Sequence, residues 1–580
     1  MVQEIRRGVA GLALAGVLAF GLAVPARAQR VVVVSFDGLG QEFLTTEPTA
    51  SELTVFQRLR REGVTAAGVQ PHFPSTTSNS HAALFTGAYG DVSNITSNSM
   101  PVLPREAHRF TERGVGFRSD QLAAEPFWVT AARQGKRAVA HQATQAFPFR
   151  EFNTRAGAVV VNGYQTRTLA GWQAVELADG VAAEWGAGPW RFRAMARGGA
   201  AVVEEVTGSG GRVKVKGAKV ESAPPRGRGL ARRFSEGLFL DHAEHPVGVH
   251  FRLFRKGGGW LLVQSPAQEL GLHDGERRND GEVRRMLREE GGSFGNGAAA
   301  LLRKGVLNEA EYLETVELQI RQTVRHAGWL DRRFRPDLLQ SYLPFPDEMD
   351  HVWLGREGPW RAWAYAAVDE GARGFARLTG RKDHLVFVSD HGMARVQRGV
   401  NVNEVLKRGG LTGRAVHLYN SVLVNTTDWK EGVVKTEERG AVVAEIRTAL
   451  ERVKDPETGA RVVTAFFTPE EHGELYGIGG PAGADLYFDL MPGWRVVDGG
   501  KGEVVVRFEE PSGTHGFDPM RRDMLAICVG RGPRLPRGGQ WGRLRSVQIA
   551  PLVMDLLGVG PPRDARGASP LALQVQGPAR

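Results

Sequence analysis

Long apolar runs that end in polar residues recur along the chain. Residues 31–36 form a nearly continuous β-branched run followed by Asp-Gly, and residues 384–388 form a second run followed by Ser-Asp-His-Gly. A strand that is apolar on both faces is typical of a parallel sheet buried between layers of helices. We therefore predict strands at 31–36 and 384–388, a weaker one at 338–342, and another at 524–529.

Helical periodicity occurs between these strands. Apolar residues recur at intervals of three and four over residues 311–333 and 360–378, which predicts two amphipathic helices. Strands that alternate with helices indicate an α/β fold with a mostly parallel central sheet and helices on both faces. In such a sheet, functional side chains gather at the edge where the parallel strands end.

The segment 155–304 has a different pattern. Its Val-Lys-Val-Lys sequence at 213–216 alternates apolar and charged residues, and glycines interrupt the apolar stretch 247–263. Both features predict short strands with one solvated face. We predict a β-rich insertion that caps the site. It divides the catalytic α/β core into residues 29–154 and 305–562, and a C-terminal tail follows at 563–580.

The N-terminal 28 residues predict a secretory signal peptide. Arg6 and Arg7 precede an apolar run at 9–24, and the sequence Ala26-Arg27-Ala28 supplies small residues at a cleavage site. We therefore expect a periplasmic or secreted protein. No later stretch reaches the roughly 20 apolar residues that span a bilayer, so the sequence predicts no transmembrane segment in the mature chain.

The composition narrows the possible chemistry. The chain has 580 residues and a single cysteine, which excludes a disulfide framework and a thiolate metal cluster. The 15 histidines are then the first candidates for metal ligands. A net charge of +10 is compatible with an anionic substrate. The basic run at 221–233 lacks interleaved aromatic residues, so we expect no nucleic-acid partner.

Three aspartates and three histidines lie at or near loops that follow the predicted strands. Carboxylate oxygens mixed with imidazole nitrogens are a ligand set that zinc prefers. Six such side chains from separate loops of one sheet are enough for two divalent ions. The six are Asp37, Asp347, His351, Asp390, His391 and His515.

A segment rich in serine and threonine offers a nucleophile. Residues 78–85 predict the start of a helix after a polar turn, where backbone N–H groups can bind a phosphate oxygen. The same hydroxyls also suit simple helix capping. From these residues alone, five hydroxyls remain candidates: Ser75, Thr76, Thr77, Ser78 and Ser80.

Several motifs of the chain match one family pattern. Residues 73–81 follow Phe-Pro-Thr-x-Thr-x-x-x-His with Ser75 in place of the first threonine, and Thr86-Gly87 comes soon after. Further motifs are Asn-Ser-Met at 98–100, Tyr-Leu-Pro at 342–344 ahead of Asp-x-x-x-His, Ser-Asp-His-Gly-Met at 389–393, and Gly-x-His-Gly at 513–516. Over most of the mature chain, the sequence resembles the alkaline phosphatase superfamily and, within it, the type I phosphodiesterase and nucleotide pyrophosphatase family.

The resemblance implies a role for each candidate residue. It implies that Thr77 is the nucleophile and that Asn98 binds the phosphate, together with the Ser78 N–H group. It also implies hydrolysis of a small phosphate ester through a phosphothreonine intermediate, by a phosphodiesterase or nucleotide pyrophosphatase. The implied cofactors are two divalent ions, expected to be zinc, held by Asp37, Thr77, Asp390 and His391 and by Asp347, His351 and His515.

The chain departs from the family pattern after the nucleophile. Nucleotide-cleaving members have an aromatic residue there that packs on the base, whereas this chain has Ser78. Ser78 and Tyr342 are retained as candidate substrate contacts. One alternative function is an alkaline-phosphatase-like phosphomonoesterase, and another is a catalytically silent binding protein on the same fold. A monoesterase needs a further cation at the third phosphate oxygen, for which the candidates are Lys136, Arg137, Arg150 and Arg167.

Overall fold

The computed structural model describes residues 30–46, 48–150, 154–208, 210–218, 233–241, 246–498 and 502–575. The predicted signal at 1–28 and nearly all of the basic run at 221–233 lie outside these residues. A ten-stranded sheet forms the centre of the fold. Its strands, in spatial order, are Arg277–Arg278, Gly271–Asp274, Ala158–Asn162, Ala138–His141, Leu338–Leu343, Val31–Phe36, His384–Val388, Cys528–Arg531, Val64–Gln70 and Gly539–Arg545.

The middle of this sheet is buried on both faces, as the apolar runs predict. Val31–Phe36 pairs in parallel with Leu338–Leu343 on one side and with His384–Val388 on the other. Its side chains alternate between two separate hydrophobic cores, with Val32 and Val34 in one and Val31 and Val33 in the other. The strand predicted at 524–529 begins later, at Cys528, and runs antiparallel to His384–Val388.

Helices cover both faces of the central sheet. The long helix Glu309–Phe334 begins with Asn308 as its N-cap, whose side chain accepts a hydrogen bond from the Glu311 N–H group, and it confirms the helix predicted at 311–333. The α-helices of the whole described structure, including those outside the central layers, are Thr49–Glu52, Thr54–Glu62, Thr77–Thr86, Gly90–Ser93, Phe127–Arg133, Asp280–Glu290, Ala299–Arg303, Glu309–Phe334, Asp347–Trp353, Trp360–Ala376, Val402–Arg408, Arg439–Glu451, Pro469–Tyr476, Ile549–Leu557 and Pro570–Val575.

The β-rich insertion is narrower than the predicted 155–304. Ala158–Asn162 and Gly271–Asp274 lie within that range, but both pair in the central sheet. The separate unit, here the insert sheet, has seven strands between residues 173 and 264. In spatial order they are Gln173–Leu177, Gly259–Gln264, Phe251–Lys256, Arg212–Ala218, Ala200–Glu205, Trp190–Arg197 and Ala182–Ala187. Two short pairs adjoin it, Leu238–Leu240 with Val247–Val249 and Thr168–Ala170 with Ala267–Gln268.

A buried ion pair joins the insert sheet to the long helix. Arg252 Nε lies 2.6 Å from Glu314 Oε2, and both side chains are almost fully buried. Arg252→Met leaves a buried carboxylate with reduced compensation, so we expect the free energy of unfolding to fall by roughly 3 kcal/mol in urea denaturation. Arg212→Met removes the exposed pair with Glu204 and is expected to cost less than about 1 kcal/mol. Equal losses in the two variants would contradict this account.

A smaller lobe, here the cleft lobe, comprises residues 394–517 and was not distinguished by the sequence analysis. It has its own hydrophobic core, which includes Val400, Phe488 and Trp494. One sheet consists of Gly493–Val496, Ala394–Val400 and Val505–Thr514, and the other of Ala415–Leu418, Ser421–Val424, Leu486–Leu490 and Val463–Phe467. A further hairpin pairs Ser99–Pro101 with Arg113–Val115 in the catalytic core.

The predicted tail at 563–580 packs against the core as far as it is described. The Arg566 N–H group donates to the Gly87 carbonyl at 2.8 Å, and Arg566 Nη1 lies 2.6 Å from Asp91 Oδ2. Helix Pro570–Val575 follows. This segment therefore braces the end of helix Thr77–Thr86, which begins at the candidate nucleophile.

Candidate active site

Three adjacent strand ends meet at one edge of the central sheet. Asp37 follows Val31–Phe36, Asp347 opens the helix after Leu338–Leu343, and Asp390 with His391 follows His384–Val388. Gly38 allows these loops to approach closely. Its φ is +69°, and a Cβ atom there would lie 2.8 Å from the Asp347 Cα atom. The Gly38 N–H group also donates to Asp390 Oδ1 at 3.0 Å.

The first group of candidate ligands consists of Asp37, Asp390 and His391. Their ligand atoms lie within 4.8 Å of one another, and all three side chains are buried. His391 Nε2 is 3.5 Å from Asp37 Oδ1 and 3.2 Å from Asp390 Oδ2. Thr77 opens its helix beside this group, with its Oγ1 atom 3.2 Å from His391 Nε2. The structure therefore brings the four side chains predicted for one ion together.

The second group forms around Asp347. His351 Nε2 lies 3.3 Å from Asp347 Oδ2, and His515 Nε2 lies 3.6 Å from Asp347 Oδ1. His391 also lies within reach of Asp347 and His515, and its ring stacks on that of His515 with centroids 3.9 Å apart. The sequence analysis assigned His391 to the first ion alone, whereas the geometry places it between both groups.

The hydrogen bonds that these side chains make, and those that they lack, fit a site for divalent metal ions. Asp37 Oδ1 and Asp347 Oδ1 are buried and make no hydrogen bond, which is costly unless a cation compensates them. Each histidine donates its Nδ1–H to a backbone carbonyl, so that Nε2 faces the carboxylates. The three pairs are His351 with Gly513, His515 with Ser75, and His391 with Gly392. Buried oxygen and nitrogen donors of this kind are suited to zinc.

The charges of the site are strongly coupled. Burial, together with repulsion from Asp390 and Asp347, raises the pKa of Asp37 well above its usual value. Burial also opposes ionisation of Asp347, but the charges of His351, His515 and His391, with a hydrogen bond to His351, together outweigh it and lower the Asp347 pKa. In return, Asp347 overcomes the effect of burial on His351 and raises its pKa to about 9. Cations would relieve the repulsion among the three carboxylates.

The structure distinguishes the five candidate hydroxyls. Of the five, only the Thr77 hydroxyl lies within hydrogen-bond distance of the grouped histidines and aspartates. The Ser75 hydroxyl donates to the Phe517 carbonyl, and that of Thr76 donates to Asn79 Oδ1. The hydroxyls of Ser78 and Ser80 are buried without a hydrogen-bond partner.

The residues predicted to contact substrate have different positions. The Ser78 N–H group donates to Asn98 Oδ1 at 2.8 Å, so the two predicted phosphate donors bind each other, and Asn98 borders the cleft described below. The Ser78 and Tyr342 side chains are fully buried and do not line that cleft. Tyr342 Oη donates to Asp37 Oδ2 at 2.5 Å. Tyr342 therefore orients a candidate ligand rather than flanking the substrate.

His81 is a positioning residue that the sequence analysis did not identify. Its Nδ1 atom lies 2.9 Å from the Thr77 carbonyl and 3.2 Å from Asp390 Oδ2, and its Nε2 atom lies 2.7 Å from Ser35 Oγ. His81 thus links the helix of the candidate nucleophile to a candidate ligand. The spacing of four residues from Thr77 on one helix was the available signal.

The hydrogen bond from Tyr342 to Asp37 predicts a measurable effect. Tyr342→Phe removes this bond while keeping the ring, so we expect zinc affinity or turnover to fall about tenfold. Tyr365→Phe is a matched control, because Tyr365 is also buried but donates to Asp350, which is not a candidate ligand. Equal losses of activity in the two variants would indicate general destabilisation instead.

A cleft of about 520 Å³ opens beside the second group of ligands. His351 and His515 line it, together with Asn98 and residues of the cleft lobe. Among the described residues that line it, none comes from the predicted insertion 155–304. Residues of the core and of the cleft lobe line this cleft, and a cap formed by the insertion stays a prediction.

Comparison with known families decides the classification. The sequence profile described as type I phosphodiesterase / nucleotide pyrophosphatase matches residues 31–191 and 294–518, which is more than half of the chain. The chain belongs to this family. It is a hydrolase of the phosphodiesterase and pyrophosphatase type, in a family of metal-dependent phosphoesterases. The unmatched residues 192–293 contain much of the insert sheet.

Solved structures show the same fold at low sequence identity. Human ectonucleotide pyrophosphatase / phosphodiesterase 5 is 14% identical, with a TM-score of 0.50, over 92% of this chain and 96% of that chain. The murine protein is 15% identical with the same coverage and TM-score, as is an inactive form of it in complex with AMP. No curated protein sequence gives a significant match. Within the described part of this chain, no helix is long and apolar enough to cross a membrane.

Proposed function

We propose that this protein is a secreted two-metal phosphodiesterase or nucleotide pyrophosphatase with Thr77 as its nucleophile. The main support is the Thr77 hydroxyl, which lies 3.2 Å from the histidine shared by both candidate ligand groups. Two zinc ions, when bound, would supply positive charge that lowers the pKa of this hydroxyl and stabilises the departing oxygen. They would be held by Asp37, Thr77, Asp390 and His391 and by Asp347, His351 and His515.

The reaction proceeds by two displacements at phosphorus. In the first, a bond forms from Thr77 Oγ1 to phosphorus and the bond to one alcohol breaks, so the other substituent remains on the enzyme. Water then attacks phosphorus, releases Thr77 and yields a monoester. The proton lost by Thr77 leaves on the departing alcohol. In the second step water gives one proton to Thr77 and its hydroxyl to phosphorus, so the net reaction consumes one water. Asn98 lines the cleft, and its amide group would donate a hydrogen bond to a non-bridging oxygen.

Three of the four basic residues that could contact a third phosphate oxygen offer no support for a monoesterase. Lys136 and Arg137 precede strand Ala138–His141, so they lie at the amino end of that strand, away from the site. Arg150 Nη1 donates to the Ser119 carbonyl. These three therefore have no evident role at a third phosphate oxygen. The N-terminal segment 1–28 supports secretion, since it has the pattern of a cleavable signal.

The preference between ester classes is tested with two chromogenic substrates. Zinc-loaded protein is expected to hydrolyse bis-p-nitrophenyl phosphate faster than p-nitrophenyl phosphate, as measured by kcat/KM for p-nitrophenolate release. The Thr77→Ala variant gives the background rate. Faster hydrolysis of the monoester would instead favour the phosphomonoesterase alternative. Absence of both activities, with no bound metal, would favour the binding protein.

A further inference from the structure

Two arginines, one from the core and one from the cleft lobe, line the cleft beside the candidate metal ligands. Arg113 lies in strand Arg113–Val115 of the core, and Arg495 lies in strand Gly493–Val496 of the cleft lobe. His351 and His515 line the same cleft. A molecule whose phosphate lies at the metal site would therefore extend into a space that both arginines line.

Neither arginine has a carboxylate partner among the described residues. Arg113 Nη1 donates to the carbonyls of Phe110 and Glu112. The Arg495 guanidinium stacks on Phe508 at 4.4 Å, and its Nε atom is buried without a hydrogen bond. Burial lowers the pKa of both groups, with no anion to offset it. A partly buried cation without a partner is costly, so an anionic ligand would be bound favourably.

The other polar groups of the cleft leave this positive charge uncompensated. The carboxylate that lines it among the described residues is that of Asp498, which lies 3.0 Å from His417 Nε2 and points largely to solvent. Asn420 also lines the cleft and is 4% exposed, and its Nδ2 atom makes no hydrogen bond. The turn that presents Asn420 contains Tyr419 at a φ of +50°, a conformation that bulky residues rarely adopt. Such strain is concentrated at functional sites.

We propose that Arg113, Arg495 and Asn420 form an anion subsite next to the scissile phosphate. The preferred substrate is then a phosphodiester or pyrophosphate whose retained or leaving substituent has its own phosphate or carboxylate group. Guanidinium groups match both anions, because their paired N–H donors bind two oxygens at once. This assignment rests on the proposed function, since it takes the hydrolysed phosphate to lie at the metal site.

The test uses three aryl diesters with the same p-nitrophenolate leaving group. Their other arm is phenyl, para-carboxyphenyl or para-phosphonooxyphenyl, so that only the charge of the arm differs. Wild-type protein is expected to give a kcat/KM at least about tenfold higher for a charged arm than for the neutral arm. The two charged compounds distinguish a carboxylate subsite from a phosphate subsite.

Variants test whether a preference for a charged arm arises from the arginines of the cleft. Arg495→Met and Arg113→Met are each expected to reduce the charged-to-neutral ratio about tenfold, and Arg495→Lys to reduce it less. Arg507→Met is the matched control, because Arg507 is exposed and paired with Glu457. A ratio near one in the wild type, or a ratio unchanged in both cleft variants, would overturn the subsite.

Failure of the subsite is distinguishable from failure of the proposed function. Thr77-dependent turnover without charge preference refutes the subsite alone. Loss of turnover with every compound refutes the proposed function. In that case the subsite is tested by calorimetry, which measures binding of the three aryl diesters to zinc-loaded Thr77→Ala protein. Tighter binding of a charged compound that disappears with Arg495→Met supports it, and equal binding of charged and neutral compounds overturns it.

Discussion

Thr77→Ala is expected to lower kcat for bis-p-nitrophenyl phosphate by at least about a thousandfold. The variant lacks the only one of five neighbouring hydroxyls that lies against the grouped ligands, so the covalent route is closed. Water and the remaining site account for the residual rate. Thr77→Ser retains a hydroxyl and is expected to recover much of the lost activity. The measurement is p-nitrophenolate release at saturating zinc.

The control for this variant lies one turn further along the same helix. The Ser80 hydroxyl is buried without a hydrogen-bond partner, so Ser80→Ala removes a similar group at little structural cost. We expect Ser80→Ala to keep near wild-type kcat and both variants to keep the wild-type circular dichroism spectrum. Turnover by Thr77→Ala at a wild-type rate would contradict the assignment of the nucleophile.

His391→Gln is expected to lower kcat by a similar factor, at least about a thousandfold, and to release both metal ions. His391 belongs to both candidate ligand groups, so its loss weakens both metal sites. Loss of the bound ions then leaves the carboxylates of the site buried without a compensating charge. His351→Gln affects only the group around Asp347, so we expect this variant to keep one ion. Metal content per chain after gel filtration, measured by mass spectrometry, tests the difference.

A buried histidine away from the site controls for general destabilisation. His250 is buried, and its two ring nitrogens lie within hydrogen-bond distance of the Ser235 and Gly292 carbonyls. We expect His250→Gln to retain metal. If His391→Gln keeps both ions, or if His351→Gln loses both, the sharing of His391 between the two groups is incorrect.

The elements predicted best are those with a local signal. A strand buried on both faces must be apolar at every position, so the run at 31–36 identifies the centre of the sheet before its partners are known. The helix at 309–334 is equally visible, because its buried positions recur with the helical period. The candidate ligands were predictable for the same reason, since they directly follow such strands or occur in compact motifs.

The features that were missed depend on long-range packing. Ala158–Asn162 and Gly271–Asp274 are short strands whose sequences do not indicate which sheet they join. The predicted insertion, 155–304, therefore includes two strands of the central sheet. The cleft lobe lines the cleft beside the site because residues distant in sequence pack together, and no local pattern predicts that placement. Likewise, the hydrogen bond between Ser78 and Asn98 joins residues 20 positions apart.

The stereochemical course at phosphorus shows whether Thr77 or water attacks the substrate. A single enantiomer of a p-nitrophenyl phosphorothioate diester is hydrolysed by the zinc-loaded protein in isotopically labelled water, and the configuration of the product is determined. Attack by Thr77 followed by attack by water inverts phosphorus twice, so net retention is expected. Net inversion would show that water attacks the substrate directly, which would contradict a covalent role for Thr77.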